Sequence, residues 1–169
     1  MSSPKIKNDM VLLTKVTCMY SEVEDRIRMS AMVKEGEPVV FWLTRRLSCL
    51  LVQALTGYLE RSVSPSALVD TGLLLSCRQR DAEWRHEPSV PVSCRDDSLG
   101  ILPERVDLSC SAESAVLLFP LGNGEEAQLQ MSLQELRQWL AIVYRQFNHA
   151  GWSMDVWPEW FLQSEPGRN

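Results

Sequence analysis

The residues that could do chemistry are few and poorly placed for it. The chain has two histidines, His86 and His149, and five cysteines, Cys18, Cys49, Cys77, Cys94 and Cys110. A nucleophilic thiol needs an imidazole within hydrogen-bond reach. His86 with Cys77 or Cys94 is the pairing nearest in sequence, and nothing in the spacing supports it. A zinc site would draw on Cys77, His86, Cys94 and Cys110, but no two cysteines stand as C-x2-C or C-x4-C, so no metal knuckle is formed. An enzyme would need perturbed carboxylates in a cleft, with Glu83, Asp96 and Asp97 to choose from. The pattern gives no reason to choose them. Gly122-Asn123-Gly124 lies between two strands and reads as a hairpin turn, since a phosphate cradle requires a strand running into a helix. The acidic pairs Asp96-Asp97 and Glu125-Glu126 read as solvated charge. The expectation is a non-enzymatic protein with no cofactor and no metal.

Two groups of residues read as binding surfaces. Lys15, Arg26, Arg28, Arg45 and Arg46 gather positive charge in the first third of the chain. Arg26 and Arg28 share one face of a strand, and Arg45-Arg46 open a helix, where two cations oppose the helix dipole. Glu22, Glu24 and Asp25 in the preceding turn offer a structural explanation, an ion-pair network. The second group is Trp152, Trp157, Trp160 and Phe161, three indoles and a phenyl ring in ten residues. Such a segment either packs back on its own core or anchors a partner, as tryptophan does at interface hot spots.

The elements that position these residues follow from periodicity. Met10–Met19 reads as a strand, Tyr20–Asp25 as an acidic turn, and Arg26–Val33 as a half-buried strand that alternates apolar with polar. Lys34-Glu35-Gly36-Glu37 turns the chain into Val39–Leu43. Thr44 caps a helix over 45–61 whose stripe is Leu47, Leu50, Leu51, Ala54, Leu55, Tyr58 and Leu59. Ser64-Pro65 reads as the start of a second helix reaching about Arg80. Residues 81–100 read as a connecting loop long enough to suggest a functional segment. Strands are then expected over Glu104–Ser111, Ala115–Leu121 and Ala127–Met131. A capping box of Ser132 and Glu135 opens a helix over 133–149 that ends at Gly151.

A shift of 89 positions lays Ile27 on Val116, Met29 on Leu118, Val40 on Leu129, Trp42 on Met131, Leu47 on Leu136 and Tyr58 on Phe147. The first strands also match, Cys18 on Cys110, if one turn is lengthened. The expected fold is therefore α+β: an internal duplication of a β-β-β-α unit, with antiparallel sheets, helices on one face and a pseudo-two-fold axis. The divisions are a flexible arm over 1–9, repeats over 10–62 and 101–151, a linking helix and loop over 63–100, and the tail 152–169.

The 169 residues carry 17 Lys/Arg and 22 Asp/Glu, a net charge of -5. Residues 1–62 hold nine cations against seven acids and the remainder eight against fifteen. That balance argues against a general binder of nucleic acid. Met1-Ser2-Ser3-Pro4-Lys5 begins no secretory signal, no apolar run approaches a membrane span, and the cysteines read as free thiols, so a cytoplasmic location is expected. The leading expectation is a protein-interaction or adaptor module, binding a protein partner or itself as a homodimer through Arg26, Arg28, Arg45, Arg46, Trp152, Trp157, Trp160 and Phe161. The alternative is a nucleic-acid-binding module that uses the basic face of the first repeat.

Overall fold

The structure is a computed structural model that describes residues 10–95 and 100–164. The expected arm over 1–9, the pair Asp96-Asp97 and the end of the tail lie outside the described residues. The chain forms β1 (Met10–Ser21), β2 (Arg26–Val33), β3 (Val39–Leu43), α1 (Arg45–Arg61), α2 (Thr71–Trp84), β4 (Asp107–Cys110), β5 (Ser114–Pro120), β6 (Glu126–Ser132), α3 (Leu133–Ala150) and the short α4 (Glu159–Leu162). No helix among the described residues is long and apolar enough to cross a membrane.

The strands build one six-stranded sheet in the order β3-β2-β1-β6-β5-β4. Each meander is antiparallel, and the two meet through a parallel pairing of Met10–Leu13 on β1 with Glu126–Leu129 on β6. Strand order and direction are therefore the same in both halves. One meander is reached from the other by a step across the sheet. A two-fold axis normal to the sheet would instead set equivalent strands side by side and antiparallel. The expected pseudo-two-fold axis and the duplication itself are not shown.

The register also corrects the spacing between the halves. Ile27 pairs with Leu43 and Met29 with Phe41, while Ala115 pairs with Met131 and Leu117 with Leu129. All eight face the core. Corresponding positions are thus 88 apart in the strands, and the caps Thr44 and Ser132 keep the same interval. The 89-residue shift sends Ile27 to Val116, which faces the other side. A one-residue slip in a strand exchanges its faces, so the apolar match at 89 joined a core residue to an outer one. Cys18, opposite Met29, corresponds by register to Leu108, opposite Leu117, and not to Cys110.

The sheet is strongly curled about its inner face. Phe41 on β3 and Phe119 on β5 stand four strands apart, about 19 Å in a flat sheet, yet their ring centroids are 4.7 Å apart. Both rings are fully buried. α1 lies inside the curl, and the Tyr58 hydroxyl donates to the carbonyl oxygens of Ser111 and Ser114 in the β4–β5 turn at 2.6 and 3.2 Å. Thr44 caps α1 by accepting from the Leu47 N–H at 3.2 Å. The capping box of α3 is complete, and Gly151 ends that helix with φ 64°, in the left-handed region.

Two expectations fail between the halves. α2 begins at Thr71, not at Ser64-Pro65, because the Ser66 hydroxyl accepts from the Leu68 N–H and closes a tight turn, leaving Asp70 to cap the helix. Local side-chain bonding of this kind competes with helix nucleation. The helix then runs on to Trp84, supported in its last turn by the Arg85–Asp81 pair at 3.0 Å. The following segment is tied to the sheet at two places. Val90 and Val92 bond to β1, and Ile101 extends the β3 edge, exchanging backbone bonds with Val40 and Trp42 at 2.8 Å each. This early use of Ile101 leaves β4 only Asp107–Cys110 of the expected Glu104–Ser111.

Gly100 lies flat against the indole of Trp42, and a Cβ there would run into the ring. Gly100→Ala is therefore expected to destabilise the protein by about 1–3 kcal/mol, the usual cost of overpacking. Urea unfolding measures it, and in a Trp42→Ala background the same change should be close to neutral. Equal losses in both backgrounds would show that the indole is not the obstacle.

Candidate functional site

The inner face of the sheet is closed by α1, α3 and the tail, so any binding surface on the sheet must lie on the outer face. Register fixes what that face presents. Met19 on β1, Arg28 on β2 and Trp42 on β3 stand side by side in one row, and Thr17, Ser30 and Val40 form the next. Together with Ser21, Tyr20 and the crossing residues Pro91 and Val92, members of these rows line a cleft of about 450 Å³. Among the described residues no carboxylate lines it, and Arg28 is its one cation. Met19, near the end of β1 and paired there with β2 alone, is 62 % exposed.

The crossing segment shows how this face holds a chain. The Lys15 ammonium donates to the Val90 carbonyl, and the Val92 N–H donates to the Thr17 hydroxyl at 2.9 Å. Two residues separate the contacts on each partner, so the segment advances at the pace of the strand beneath it, as an extended chain does. Val92 is buried by this contact.

Of the other predicted cations, Arg26 alone forms an ion pair among the described residues. Arg26 lies 3.8 Å from Glu24. Arg45 stabilises the charge of Asp25, which also accepts from the Tyr20 hydroxyl at 2.7 Å and from the Trp152 indole N–H at 3.1 Å. The acidic turn thus forms an ion pair with Arg26, while Arg45 and Asp25 attract each other without an ion pair among the described residues. Arg46 is exposed. Asp25 itself sits at φ 48°, in the left-handed region that Asp tolerates. Around it Tyr20 packs against His149 and Trp152, and its backbone N–H donates to the Gln146 side chain at 2.8 Å.

All four aromatic candidates of the tail are buried within the chain. Trp152 and Trp157 meet Phe147 edge-on, and Trp157 also meets Tyr144 edge-on. Trp160 donates to Glu60 at 2.9 Å and Phe161 packs on Tyr144. The tail is part of the core here, and these rings offer no exposed surface. The Trp157 indole N–H has no hydrogen-bond partner among the described residues.

The thiols and histidines do not assemble. All five cysteines are free, and no group of three or more metal-ligating side chains occurs among the described residues. Burial pushes the Cys18 thiol up to about 12, with the Trp139 N–H pulling only weakly the other way. That sulfur is a core atom and no nucleophile at neutral pH. A second cleft, about 480 Å³, opens where β1 and β6 part, between Thr14–Val16, Gln130–Met131 and the first half of α3, with His86 at its rim.

Two features had no legible signal. Trp84 is 88 % exposed at the end of α2, where the sequence suggested loop. Arg137 is buried under α2 with one guanidinium nitrogen unpartnered among the described residues, and burial with the neighbouring Arg78 lowers its pKa to about 10. Its position on the buried side of α3 would have been found only with the α2–α3 packing in view.

Comparison of the chain with protein-family models, curated proteins and solved structures gave no match.

The Asp25 cluster has a defined pH signature. Hydrogen bonds from Tyr20 and Trp152, and the charge of Arg45, hold the Asp25 carboxyl below its ordinary 3.8. A depressed carboxyl stabilises the fold above its unfolded pKa, and the gain is lost as pH falls through the folded value. Asp25→Asn should therefore lower the urea midpoint at pH 7 and narrow its gap from the parent protein below pH 3.8. A gap of the same size at both pH values would remove the cluster from the acid response.

Proposed function

We propose that the protein is a non-enzymatic interaction module that engages a protein partner on the outer face of its first meander, β1–β3. The observation that carries this reading is what that face presents among the described residues. Val90 and Val92 lie along Lys15 and Thr17, and Met19, Arg28 and Trp42 line the cleft beside them. Exposed apolar surface next to partly buried polar groups is what a docking surface presents. Added chain can follow the route that the protein's own segment already uses, a recurrent mode of recognition on sheets.

The nucleic-acid alternative is less well supported. It would need a cluster of unpaired cations and exposed aromatic rings. Here Arg26 is paired to Glu24, Arg45 faces Asp25, and only Arg28 lines the cleft. Self-association as a homodimer would use the same surface, and in that case the partner is a second copy. We take the two meanders as copies of one ancestral unit, of which the first kept the binding face.

A photo-cross-linking amino acid placed at Met19, with a control at Glu113 in the β4–β5 turn, tests the reading in extracts of the source organism. The expected outcome is one or a few defined adducts from position 19 and none from 113. A self-adduct would identify the homodimer. No adduct from position 19, with the protein monomeric by gel-filtration mass, would refute an interaction role for this face.

A further inference from the structure

α2 presents apolar side chains on two opposite faces. One face is buried with Leu75, Ser76, Gln79 and Ala82, where Ser76 donates to the Trp160 carbonyl and Gln79 to that of Arg137. The other carries Leu73, Cys77 and Trp84, whose spacing keeps them on one side of a helix. Leu73 is 62 % and Trp84 88 % exposed, Cys77 is exposed between them, and Leu68 and Val69 stand open just before the helix. A helix apolar all round is ordinarily covered all round. The charges nearest the stripe are drawn to its flanks. Arg80 donates to the carbonyl oxygens of Gln163 and Ser164 at 3.4 Å, and Arg85 holds Asp81 at 3.0 Å. The residues that follow Ser164, Glu165-Pro166-Gly167-Arg168-Asn169, include no large apolar side chain to match an indole and two leucines. The open parts of Leu68, Val69, Leu73 and Trp84 come to roughly 600 Å², the upper end of what an ordinary monomer leaves exposed in one patch.

We propose that a second copy of this chain covers this stripe, the two α2 helices packing antiparallel about a two-fold axis beside Cys77. The stripe is complementary to itself in that arrangement and in no parallel one. At 1.5 Å per residue, Leu73 stands about 7 Å to one side of the axis and Trp84 about 10 Å to the other, so each indole lies over Leu73 and Val69 of the other copy. Asp70 and Arg85 stand about 11 Å to either side and on the same flank, so each carboxylate meets the other copy's guanidinium. The Arg85 Nε is the atom that holds Asp81, which leaves its terminal nitrogens for this second acid. A parallel pairing would instead set Asp70 against Asp70 and Arg85 against Arg85. Covering the stripe on both copies removes roughly 1,200 Å², the lower end of specific interfaces, and the contact is isologous, as closed dimers require. The proposal does not rest on the reading of the outer sheet face. α2 packs on α3, which covers the inner face, so this pairing leaves β1–β3 to a different partner.

Sedimentation equilibrium of the full chain under reducing conditions, from about 1 to 100 μM, tests the pairing and should show a reversible monomer–dimer equilibrium within that range. Leu73→Glu and Trp84→Ala should each raise the dissociation constant at least tenfold, and Arg85→Asp several-fold. Both apolar sites are exposed, and circular dichroism checks that each variant remains folded. Cys77 gives an independent readout. Helix axes 8–10 Å apart place two such Cα atoms about 4–6 Å from each other, within reach of a disulfide. Diamide, which takes up the two electrons and two protons that a pair of thiols releases, should therefore yield a covalent dimer that Cys77→Ser abolishes and Cys110→Ser does not. A monomer throughout the range, a dimer indifferent to Leu73→Glu and Trp84→Ala, or a cross-link that survives Cys77→Ser would overturn the proposal. A self-adduct from the photo-cross-linker at Met19 with no cross-link through Cys77 would overturn it too, and would put the second copy on the sheet. A monomer in which a photo-cross-linker at Leu73 captures a different protein would give α2 to that protein instead.

Discussion

The whole architecture depends on a parallel pairing only four residues long, Met10–Leu13 with Glu126–Leu129. It is the one strand contact between two meanders that would otherwise each expose an inner edge. Parallel pairing is slightly weaker per residue than antiparallel, and strand edges left open invite aggregation. Here the contact is ended by an irregularity in β1 between Leu13 and Lys15. From that point β1 continues with β2 alone and β6 with β5 alone. α3 then comes into the space beside β1, where Gln146 caps the Tyr20 N–H and the Trp139 indole faces the Cys18 sulfur. The bulge therefore decides where the second helix can dock.

Curling follows from the same junction. With β1 and β6 diverging, the two meanders tilt toward each other over the inner face, and Phe41 meets Phe119 across the fold. The sheet's free edges draw together, so that the short run from Ile101 to Asp107 can pass from the β3 edge to β4. α1 occupies the interior, and the tail seals the outside of α3 through edge-on contacts of Trp152 and Trp157 with Phe147. Asp25, with Tyr20 and Trp152, fastens the β1–β2 turn to that seal. Inside is thus fully specified, and the asymmetry between the two faces of the sheet is a consequence of how the halves are joined.

Local rules were legible in the sequence wherever one residue type decides a conformation. Thr44, the Ser132–Glu135 box and Gly151 set the helix ends, and the alternation of Arg26–Val33 set a strand to the residue. What could not be read depends on contacts far apart in the chain. The interval of 88 rather than 89 required knowing which face of β5 is buried, because Val116, Leu117 and Leu118 are all apolar. Strand order was hidden because a step across the sheet and a two-fold axis give the same hydrophobic pattern. The start of α2 turned on whether Ser66 or Ser64 spent its hydroxyl locally. Of the candidate residues, Arg26 and Arg28 were placed on one strand face from spacing alone. That Arg26 is paired and Arg28 stands in a cleft came only with Trp42 and Met19 beside it.

The same distinction locates function. A core residue is chosen by the packing around it, so the buried tryptophans, unusual as they look in the sequence, are explained once Phe147, Tyr144 and Glu60 are found against them. Met19 and Arg28 have no such explanation. An exposed thioether on the outer face gains nothing from burial, and a partly buried guanidinium without an acid among the described residues carries a desolvation cost with no matching return. Two residues that fail to be explained by the fold, adjacent on one face and beside an extended segment of the chain itself, are where consistency between sequence and structure gives way. On the proposed reading, folding alone does not require them there and binding a partner does.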